Sequence, residues 1–340
     1  MGAGRLFVFG LGYTGLHTCR MAQQRGWHVS GTCRSDARAS DLRELHHIDA
    51  HAADFARGDA LGAAGREALA RATHVLVTIP PSPGIPGDPV FRQHGRELVA
   101  HSARGGLHWA GYLSTTGVYG DHAGDWVDEG AETRAPAGST AADRLDAEGQ
   151  WLSLGEMSDG RLRAHVFRLA GIYGPGRSAL DTVARAAVDA DLSQPSSTHP
   201  VAPNSTSSVG GKYVSRVHVD DIAATLLASM AAPASKREDA IYNVADDEPA
   251  ARADVMEYAA GILGCRLPNS ALVGASGERK RRRKTESKRV YNGKMRQLLP
   301  QGGLSFPTYR EGLLSIHQGL VRPKGDAGDA GPRRAAKDVK

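Results

Sequence analysis

The chain has 340 residues, of which 41% are hydrophobic, and a formal net charge of +5 at neutral pH. This length exceeds one average domain, and the apolar fraction is ample for a buried core. No run of about 18 apolar residues occurs, which excludes an obvious membrane span. The three cysteines show no paired spacing, so we expect free thiols in a reducing compartment rather than a disulfide framework.

The chain opens with a predicted strand, glycine turn, helix and second strand. Apolar Leu6–Phe9 precede the turn, a helical pattern runs from Leu16 to Arg25, and Trp27–Cys33 has strand character. This succession within about 35 residues is typical of a dinucleotide-binding unit, whose glycines let backbone N–H groups approach a pyrophosphate. A structural glycine turn is the alternative. The cofactor contacts predicted here are Gly10, Gly12, Tyr13, Thr14 and Gly15.

The residue roughly 20 positions beyond the last glycine contacts the adenosine ribose in such units. That position falls on Arg34. An acid there would accept the 2′-hydroxyl of NAD, whereas an arginine suits the 2′-phosphate of NADP by its charge and its fork of donors. The sequence therefore predicts NADP. NAD remains the alternative, because Asp36 lies close by and Arg34 can equally be a solvated residue at a strand end.

Strands and helices continue to alternate through the first half of the chain. We predict a helix over Asp41–Leu45, a strand within Ile48–Phe55, a helix over Leu61–Ala72 and a buried strand over Thr73–Ile79. Ligands bind at the carboxyl ends of parallel strands. Asp54 can accept a hydrogen bond from the adenine amine or serve as a plain turn acid. The loop residues added to the cofactor site are Asp54, Phe55 and Pro80.

The alternation persists in the second half. Predicted elements are helix Val90–Arg104, strand Leu107–Ser114, helix Ala141–Leu154, strand Arg161–Leu169, strand Val214–Val219, helix Asp220–Met230 with Asp220 or Asp221 as its N-cap, strand Ala240–Val244, helix Asp254–Leu263, and a closing strand and helix from Phe306. Sequential βα units predict an α/β fold, a doubly wound parallel sheet of the Rossmann type with a small C-terminal substrate or lid subdomain.

The predicted domain boundaries follow from these elements. Residues 1–176 and 212–246 form the NAD(P)-binding domain, and residues 177–211 and 247–320 form the lid subdomain. The 193–211 stretch has too few apolar residues to anchor itself, so we expect a disordered or lid-like insertion. Residues 321–340 are rich in glycine and charge and are predicted to be a disordered tail.

Four segments in order carry a family resemblance: Gly10–Gly15, Ser114–Gly120, Phe167–Gly176 and Arg216–Ile222. Together they resemble the extended short-chain dehydrogenase/reductase superfamily, in its NAD-dependent epimerase/dehydratase group. The form of the first segment, and of the acidic stretch around Trp126, is similar to an atypical YeeZ-like subgroup of bacterial and plastid-lineage proteins. The resemblance implies that Thr115 orients a substrate oxygen and that the backbone at Ala170 and Ile172 flanks the nicotinamide.

The Tyr-x-x-x-Lys motif that the resemblance leads us to expect is missing, because residues 121–150 contain neither Tyr nor Lys. With Glu148 as the register mark, the Tyr position falls on Thr140 and the Lys position on Arg144. Arg144 can donate to a ribose hydroxyl, but it cannot release a proton. The candidate catalytic residues are Thr115, Thr140 and Arg144, with Arg144 also assigned to the cofactor. Tyr119 and Tyr173 are other phenols, but a packing role is the favoured explanation for each.

Two departures from the family pattern bear on the substrate. Thr116 and Gly117 stand where the sugar-nucleotide dehydratases have acids, and Tyr213 stands where a phosphate-binding Arg is expected. Lys288 and Arg289 resemble a segment facing the cleft. We therefore expect an NADP(H)-using oxidoreductase or epimerase of a small substrate, with an anionic compound among the candidates. The alternative is a non-catalytic NAD(P)-binding sensor or scaffold.

Other partners are not indicated by the sequence. No second His or Cys stands at metal spacing from His218, so no metal site is predicted. The basic run Arg279–Lys284 lacks interleaved aromatic residues, so nucleic acid is not expected. A homodimer is compatible with the family resemblance. The first strand lies close to Met1, so we expect a cytoplasmic protein, or a plastid stromal one if a transit peptide is missing from this sequence.

Overall fold

A computed structural model describes residues 4–82, 87–189, 212–232, 240–265, 286–300 and 303–321. Its centre is a sheet of seven strands: β1 (Arg5–Phe9), β2 (His28–Cys33), β3 (Asp49–Ala52), β4 (His74–Val77), β5 (Trp109–Thr115), β7 (Arg163–Leu169) and β11 (Ile241–Val244). The strands lie in the order β3-β2-β1-β4-β5-β7-β11, and all neighbouring pairs are parallel. The order reverses between β1 and β4, as in other doubly wound sheets.

The described helices are α1 (Tyr13–Gln24), α2 (Asp36–His46), α3 (Ala63–Ala70), α4 (Pro89–Ala103), α5 (Thr140–Met157), α6 (Ala179–Asp189), α7 (Val219–Ala231), α8 (Arg252–Leu263), α9 (Gly293–Leu298) and α10 (Tyr309–Val321). Strand side chains alternate between the two faces. In β1, Leu6 and Val8 belong to the core with α1, α2 and α7, whereas Phe7 and Phe9 belong to the core with α3, α4 and α5. Burial on both faces explains why these strands are continuously apolar. The predicted doubly wound fold is confirmed.

Six short strands complete the described structure: β6 (Trp126–Val127), β8 (Gly171–Tyr173), β9 (Tyr213–Val214), β10 (Arg216–His218), β12 (Ala250–Ala251) and β13 (Arg289–Val290). They pair as β8 with β10, β9 with β12, and β6 with β13. Helices α6, α8 and α10 pack around a separate small core that includes Tyr173, Met256 and Leu313. This core corresponds to the predicted lid region, although the domain boundaries themselves stay a prediction.

Three local predictions are corrected. Helix α7 is capped by His218 rather than by Asp220 or Asp221, because the His218 Nδ1 accepts the Asp220 N–H at 3.2 Å. The segment Ser305–Thr308 is a series of bends, not a strand, since the Asp221 carboxylate accepts the N–H groups of Ser305 and Phe306. The expected exit loop after β7 contains strand β8.

Some predicted features lie outside the described residues. They are the 193–211 insertion, the basic run at 279–284, and the tail beyond Val321. Val321 itself, the first residue of the predicted tail, is the last residue of α10.

A buried ion pair ties α5 to the sheet. The Arg168 Nη2 lies 2.7 Å from the Glu148 Oε2, and the two side chains are 5% and 3% exposed. The Ser114 hydroxyl donates to the same carboxylate. On the other side of Arg168, Nη1 donates to the Tyr119 hydroxyl at 3.0 Å, which in turn donates to the Asn243 Oδ1 at 2.7 Å. Strands β5, β7 and β11 and helix α5 are thus joined below the carboxyl edge of the sheet.

Removing one partner of this pair is expected to destabilise the protein strongly. Glu148→Leu leaves the Arg168 guanidinium buried without its counter-charge, which costs about 3–5 kcal/mol of unfolding free energy. The double variant Glu148→Leu/Arg168→Met removes both charges and should recover about 2 kcal/mol or more relative to the single change. Urea unfolding of the wild type, both single variants and the double variant measures the coupling. Additive losses would contradict the buried pair.

Candidate functional site

The turn after β1 is built from close backbone contacts. Gly10 has a φ of +99°, and a Cβ on it would lie 2.5 Å from the Thr78 Oγ1. A Cβ on Gly15 would lie 2.4 Å from the Gly10 carbonyl oxygen. The Gly10 N–H donates to the Thr32 Oγ1 at 3.1 Å, and the Thr78 hydroxyl donates to the Gly10 oxygen at 2.7 Å. Only glycine satisfies this packing at positions 10 and 15.

Gly12 differs from the other two glycines, because a Cβ on it would meet no protein atom within 4 Å. It is the N-cap of α1 and provides no side-chain cap. The uncapped N–H groups and the dipole of a helix start favour an anion at this end. Thr14 is buried behind the turn, and its carbonyl accepts the Thr18 hydroxyl at 2.9 Å. The open space in front of Gly12 therefore fits a pyrophosphate.

A cavity of about 560 Å³ begins at this turn and follows the carboxyl ends of β1, β2, β3 and β4. It brings together six of the predicted cofactor residues: Gly10, Gly12, Arg34, Asp54, Phe55 and Pro80. Thr78, Ile79 and Ser82 complete the wall beside β4. The volume lies within the range typical of small-molecule and cofactor sites.

Two arginines, rather than the single one predicted from the sequence, line the end of this cavity beside β2. Arg34 and Arg38 both line it and both are exposed, whereas Asp36 does not line it. Arg38 was not predicted from the sequence, although residues four apart can share one side of a helix and Arg38 is four residues after Arg34. Asp54 has a turn role, since its Oδ1 accepts the Ala56 N–H at 3.1 Å. It nevertheless lines the cavity, so both interpretations of this acid stay open.

Tyr13 points away from the 560 Å³ cavity and connects the turn to the chain after β8. Its hydroxyl donates to the Pro175 carbonyl at 3.1 Å, and the Arg177 guanidinium lies 5.6 Å from the centre of its ring. A Cβ on Gly174 would lie 2.5 Å from the Tyr13 hydroxyl. Burial raises the pKa of Tyr13 to about 12, so the phenol stays protonated as a donor at neutral pH.

A second cavity, of about 820 Å³, lies beyond this contact and is lined by β8, α6, the β9–β12 ladder, α8 and α10. Five cations line it: Arg177, Arg185, Lys212, Arg216 and Arg252. Glu286 is the one acid among the described lining residues. The predicted nicotinamide neighbour Ile172 also lines this cavity, while Ala170 is buried and its N–H donates to the Val244 carbonyl at 2.9 Å. The excess positive charge favours an anionic ligand.

The three candidate catalytic residues lie near the carboxyl end of β5. Thr115 is partly exposed at that end, and its Oγ1 accepts the Gly117 N–H at 3.1 Å. Its own hydroxyl proton can still be donated. Arg144 is anchored by a bond from its Nη1 to the Leu113 carbonyl at 2.7 Å. Thr140 is the exposed first residue of α5. A role for each in catalysis stays a prediction.

The phenols near the site do not replace the missing Tyr of the motif. The Tyr119 hydroxyl is held between Arg168 and Asn243, and burial raises its pKa. The Tyr173 hydroxyl donates to the Thr308 carbonyl at 3.3 Å, and burial raises its pKa as well. An efficient general base needs a pKa lowered toward neutral pH, which is the opposite shift. Both residues are packing residues in this structure.

Other predicted polar residues near the site have structural partners. Lys288 donates to the Gly120 carbonyl at 2.8 Å and Arg289 to the Gly124 carbonyl at 2.7 Å, so they hold the acidic loop rather than face a ligand. His218 is 2% exposed, and its ring lies 4.1 Å from that of Phe306. Within the described ranges, no group of three or more His, Cys, Asp or Glu side chains is placed to hold a metal ion.

A membrane-spanning helix is not found in the part of the chain that the structure describes, since no helix there is both long and apolar enough.

Residues 6–245 match the model of the NAD dependent epimerase/dehydratase family. Protein YeeZ of Escherichia coli K12 is 23% identical over 267 residues, which cover 78% of this chain and 85% of that protein. A functionally unknown conserved protein from Silicibacter pomeroyi DSS has a solved structure with a TM-score of 0.70 and 33% identity, covering 93% of this chain and 99% of that one. UDP-glucuronic acid 4-epimerase from Bacillus cereus, solved with UDP-glucuronic acid and NAD, has a TM-score of 0.61 at 15% identity, with 92% and 98% covered. At that identity the likeness is one of fold.

The glycines of the turn offer a matched pair of variants. Gly12→Ala places its methyl in the open space before α1, so it should change the unfolding free energy by less than about 1 kcal/mol. It should weaken dinucleotide binding about tenfold or more, because the methyl occupies the space for the phosphates. Gly15→Ala forces α1 away from Gly10 and should cost about 1–3 kcal/mol of stability. Urea unfolding and fluorescence titration with NADPH measure both effects. Equal loss of stability in the two variants would contradict the separate roles of these glycines.

Proposed function

The chain belongs to the NAD-dependent epimerase/dehydratase family, and we propose from this that it is an oxidoreductase or epimerase that uses NADP(H). The dinucleotide occupies the cavity at the turn after β1, and a small anionic substrate occupies the 820 Å³ cavity. The observation that supports this most directly is the Tyr13–Pro175 bond, because it joins the turn after β1 to the segment whose next residues, Gly176 and Arg177, line the second cavity. Two ligands bound in these cavities would approach each other on either side of this contact.

The preference for NADP rests on the charge at the ribose end. Arg34 and Arg38 both line this part of the cavity and are exposed, so they are available to a 2′-phosphate. A phosphate monoester carries close to two negative charges at neutral pH and has oxygens that match the guanidinium fork. The side chain of Ser35, which lies between these arginines in the sequence, accepts the Arg38 N–H as the N-cap of α2. A family that is NAD-dependent in general thus has here a site suited to the phosphorylated form.

A comparison of the two cofactors tests this preference. We expect NADPH to bind tighter than NADH by about 1–3 kcal/mol, or about 5- to 150-fold, which is the scale of charge-assisted contacts. Arg34→Ala and Arg38→Ala should each reduce this difference in affinity. The double variant should remove it without lowering the affinity for NADH. Fluorescence titration of these four proteins with both cofactors gives the eight dissociation constants, and Arg20→Ala, an exposed arginine outside the cavity, is the control. Equal affinities in the wild type would refute the NADP assignment.

The proposed chemistry assigns limited roles to the protein side chains. The bound nicotinamide supplies hydride transfer. Thr115 and Arg144 line neither cavity, so the reacting ends of the two ligands would extend to the carboxyl end of β5. There the Thr115 hydroxyl, which already accepts the Gly117 N–H, would donate to the substrate oxygen and orient it. Arg144, anchored on the Leu113 carbonyl, would present its remaining donors to the ribose. Because the Tyr119 and Tyr173 hydroxyls have raised pKa values and protein partners, a water or another group would exchange the proton with the substrate oxygen.

The second candidate function is a nucleotide-binding sensor or scaffold. The observation that favours it is the chemistry at the motif positions, where Thr140 and Arg144 cannot act as an acid/base pair at neutral pH. In that case the output is conformational. The contact between Tyr13 and Pro175 would pass occupancy of the cofactor turn to the lid side.

Turnover distinguishes the two candidates. For an enzyme, a small-molecule extract should produce a change in absorbance at 340 nm in the presence of NADPH or NADP⁺. Thr115→Val keeps the shape but removes the donor, so it should lower this rate about 10²-fold or more while leaving NADPH affinity within about twofold. Thr225→Val is the control, because the buried Thr225 hydroxyl donates to the Asp221 carbonyl within α7 and lines neither cavity. Tight cofactor binding with no extract-dependent turnover above that of Thr115→Val would favour the sensor.

A further inference from the structure

We propose that the 820 Å³ cavity takes an amphipathic anion, with a carboxylate or phosphate head and an aliphatic or aromatic body. This inference rests on the proposed function, because it names the substrate class of the same cavity. The proposed ligand differs from a sugar nucleotide, because a sugar nucleotide is polar along its whole length. The cavity is large enough for such a ligand, since small-molecule sites occupy about 300–1,000 Å³.

The head group is placed by two cations at one end of a strand pair. In the antiparallel β9–β12 ladder, Val214 lies opposite Ala250 and Tyr213 opposite Ala251. One residue beyond this ladder on each side lie Lys212, which precedes β9, and Arg252, the first residue of α8, and both are exposed and line the cavity. Two like charges that line one cavity repel each other, and neither residue forms an ion pair within the described ranges. An anion between them would remove this repulsion.

The start of α8 adds to the same end of the cavity. Arg252 is the first residue of this helix, and its N-cap, Ala251, provides no side-chain cap. Ala251 and Ala253 line the cavity together with Arg252, so the first turn of α8 faces the proposed head group. Backbone N–H groups at a helix start supplement the two side-chain charges.

The remaining cations also contact other groups of the protein. Arg216 donates from Nη1 to the Val214 carbonyl at 2.8 Å and to the Ala250 carbonyl at 2.9 Å, so it holds the strand pair together. Arg185 donates from Nε to the Asp181 carbonyl at 3.1 Å, and Arg177 lies over the Tyr13 ring. All three keep their positive charge, but Lys212 and Arg252 are the lining cations whose side chains have no hydrogen bond or ring contact within the described ranges.

Another part of the lining is apolar. It consists of Val255, Met256, Tyr309 and Leu313, which belong to the small core of α6, α8 and α10. A ligand body that covers this part gains roughly 25 cal/mol for each Å² of apolar surface removed from water.

Most of the hydroxyl groups that the described residues place around the cavity already donate their protons to protein acceptors. The Ser178 hydroxyl donates to the Asp181 carboxylate at 2.6 Å, the Thr182 hydroxyl to the Ser178 carbonyl at 3.2 Å, and the Tyr173 hydroxyl to the Thr308 carbonyl at 3.3 Å. The Glu286 carboxylate lies 3.4 Å from the Lys288 Nζ. A sugar needs several hydrogen-bond partners when it is buried, because unpaired polar groups are costly. This lining suits a body without hydroxyls.

Isothermal titration of the full-length protein with defined probes tests the proposal. The probes are octyl phosphate, octanoate, octanol, inorganic phosphate and UDP-glucuronic acid, each with and without saturating NADPH. We expect octyl phosphate or octanoate to bind with a stoichiometry of one, at least tenfold tighter than octanol, inorganic phosphate and UDP-glucuronic acid. Whichever of these two anions binds more tightly identifies the head group as a phosphate or a carboxylate. Binding of UDP-glucuronic acid as tight as that of either amphipathic anion, or of octanol as tight as both, would overturn the proposal.

Charge variants locate the head group. Lys212→Gln and Arg252→Gln should each lower the affinity for the amphipathic anion about tenfold, and Arg252→Glu should lower it further. The affinity for NADPH should be unchanged in all three variants. Arg92→Gln, an exposed arginine on α4 away from the cavity, is the control. Unchanged anion affinity in all three cavity variants would contradict the placement. If NADPH binds the wild type and neither amphipathic anion does, this inference fails alone, whereas loss of NADPH binding would refute the proposed function.

Discussion

The contact between Gly15 and the Gly10 carbonyl is the constraint on which the cofactor site depends. Two backbones approach so closely there that a single Cβ would fall 2.4 Å from the oxygen. The first turn of α1 is thereby pressed onto the end of β1, and the Thr32 and Thr78 hydroxyls hold the same point from the neighbouring strands. As a result, the start of α1 points its free N–H groups at open space in front of Gly12. The anion site follows from how the helix packs on the sheet.

A second constraint places the substrate side. The Glu148–Arg168 pair is buried, and its partners reach β5, β7 and β11. It keeps α5 against the sheet even though the Tyr and Lys expected on that helix are absent. Arg144 is one helical turn before Glu148 and bonds to the neighbouring strand, so its position is determined by the same packing. The scaffold of a catalytic helix is therefore retained where the usual acid/base pair is not, which leaves both an altered enzyme and a binding protein consistent with the fold.

Aromatic and backbone contacts link the turn after β1 to the segment beside the 820 Å³ cavity. Tyr13 belongs to that turn, and its hydroxyl and ring contact Pro175 and Arg177. Arg177 also lines the 820 Å³ cavity, so the Tyr13 ring and this cavity share one guanidinium. The cationic and apolar walls of that cavity are contributed by segments from β8 to α10, which come together only through the small core around Met256.

The sequence by itself determined the βαβ start, the doubly wound sheet and the position of the predicted cofactor residues at the ends of β1 to β4. These depend on local patterns, namely a glycine spacing, apolar runs and the rule that ligands bind at carboxyl ends of parallel strands. Tertiary structure decided which polar residues remain available. Lys288 and Arg289 looked free in the sequence but bind loop carbonyls, His218 became a helix cap, and Tyr13 bonds to a residue 162 positions away. Such partners are distant in the chain, so their pairing depends on how the elements pack, which no local pattern records.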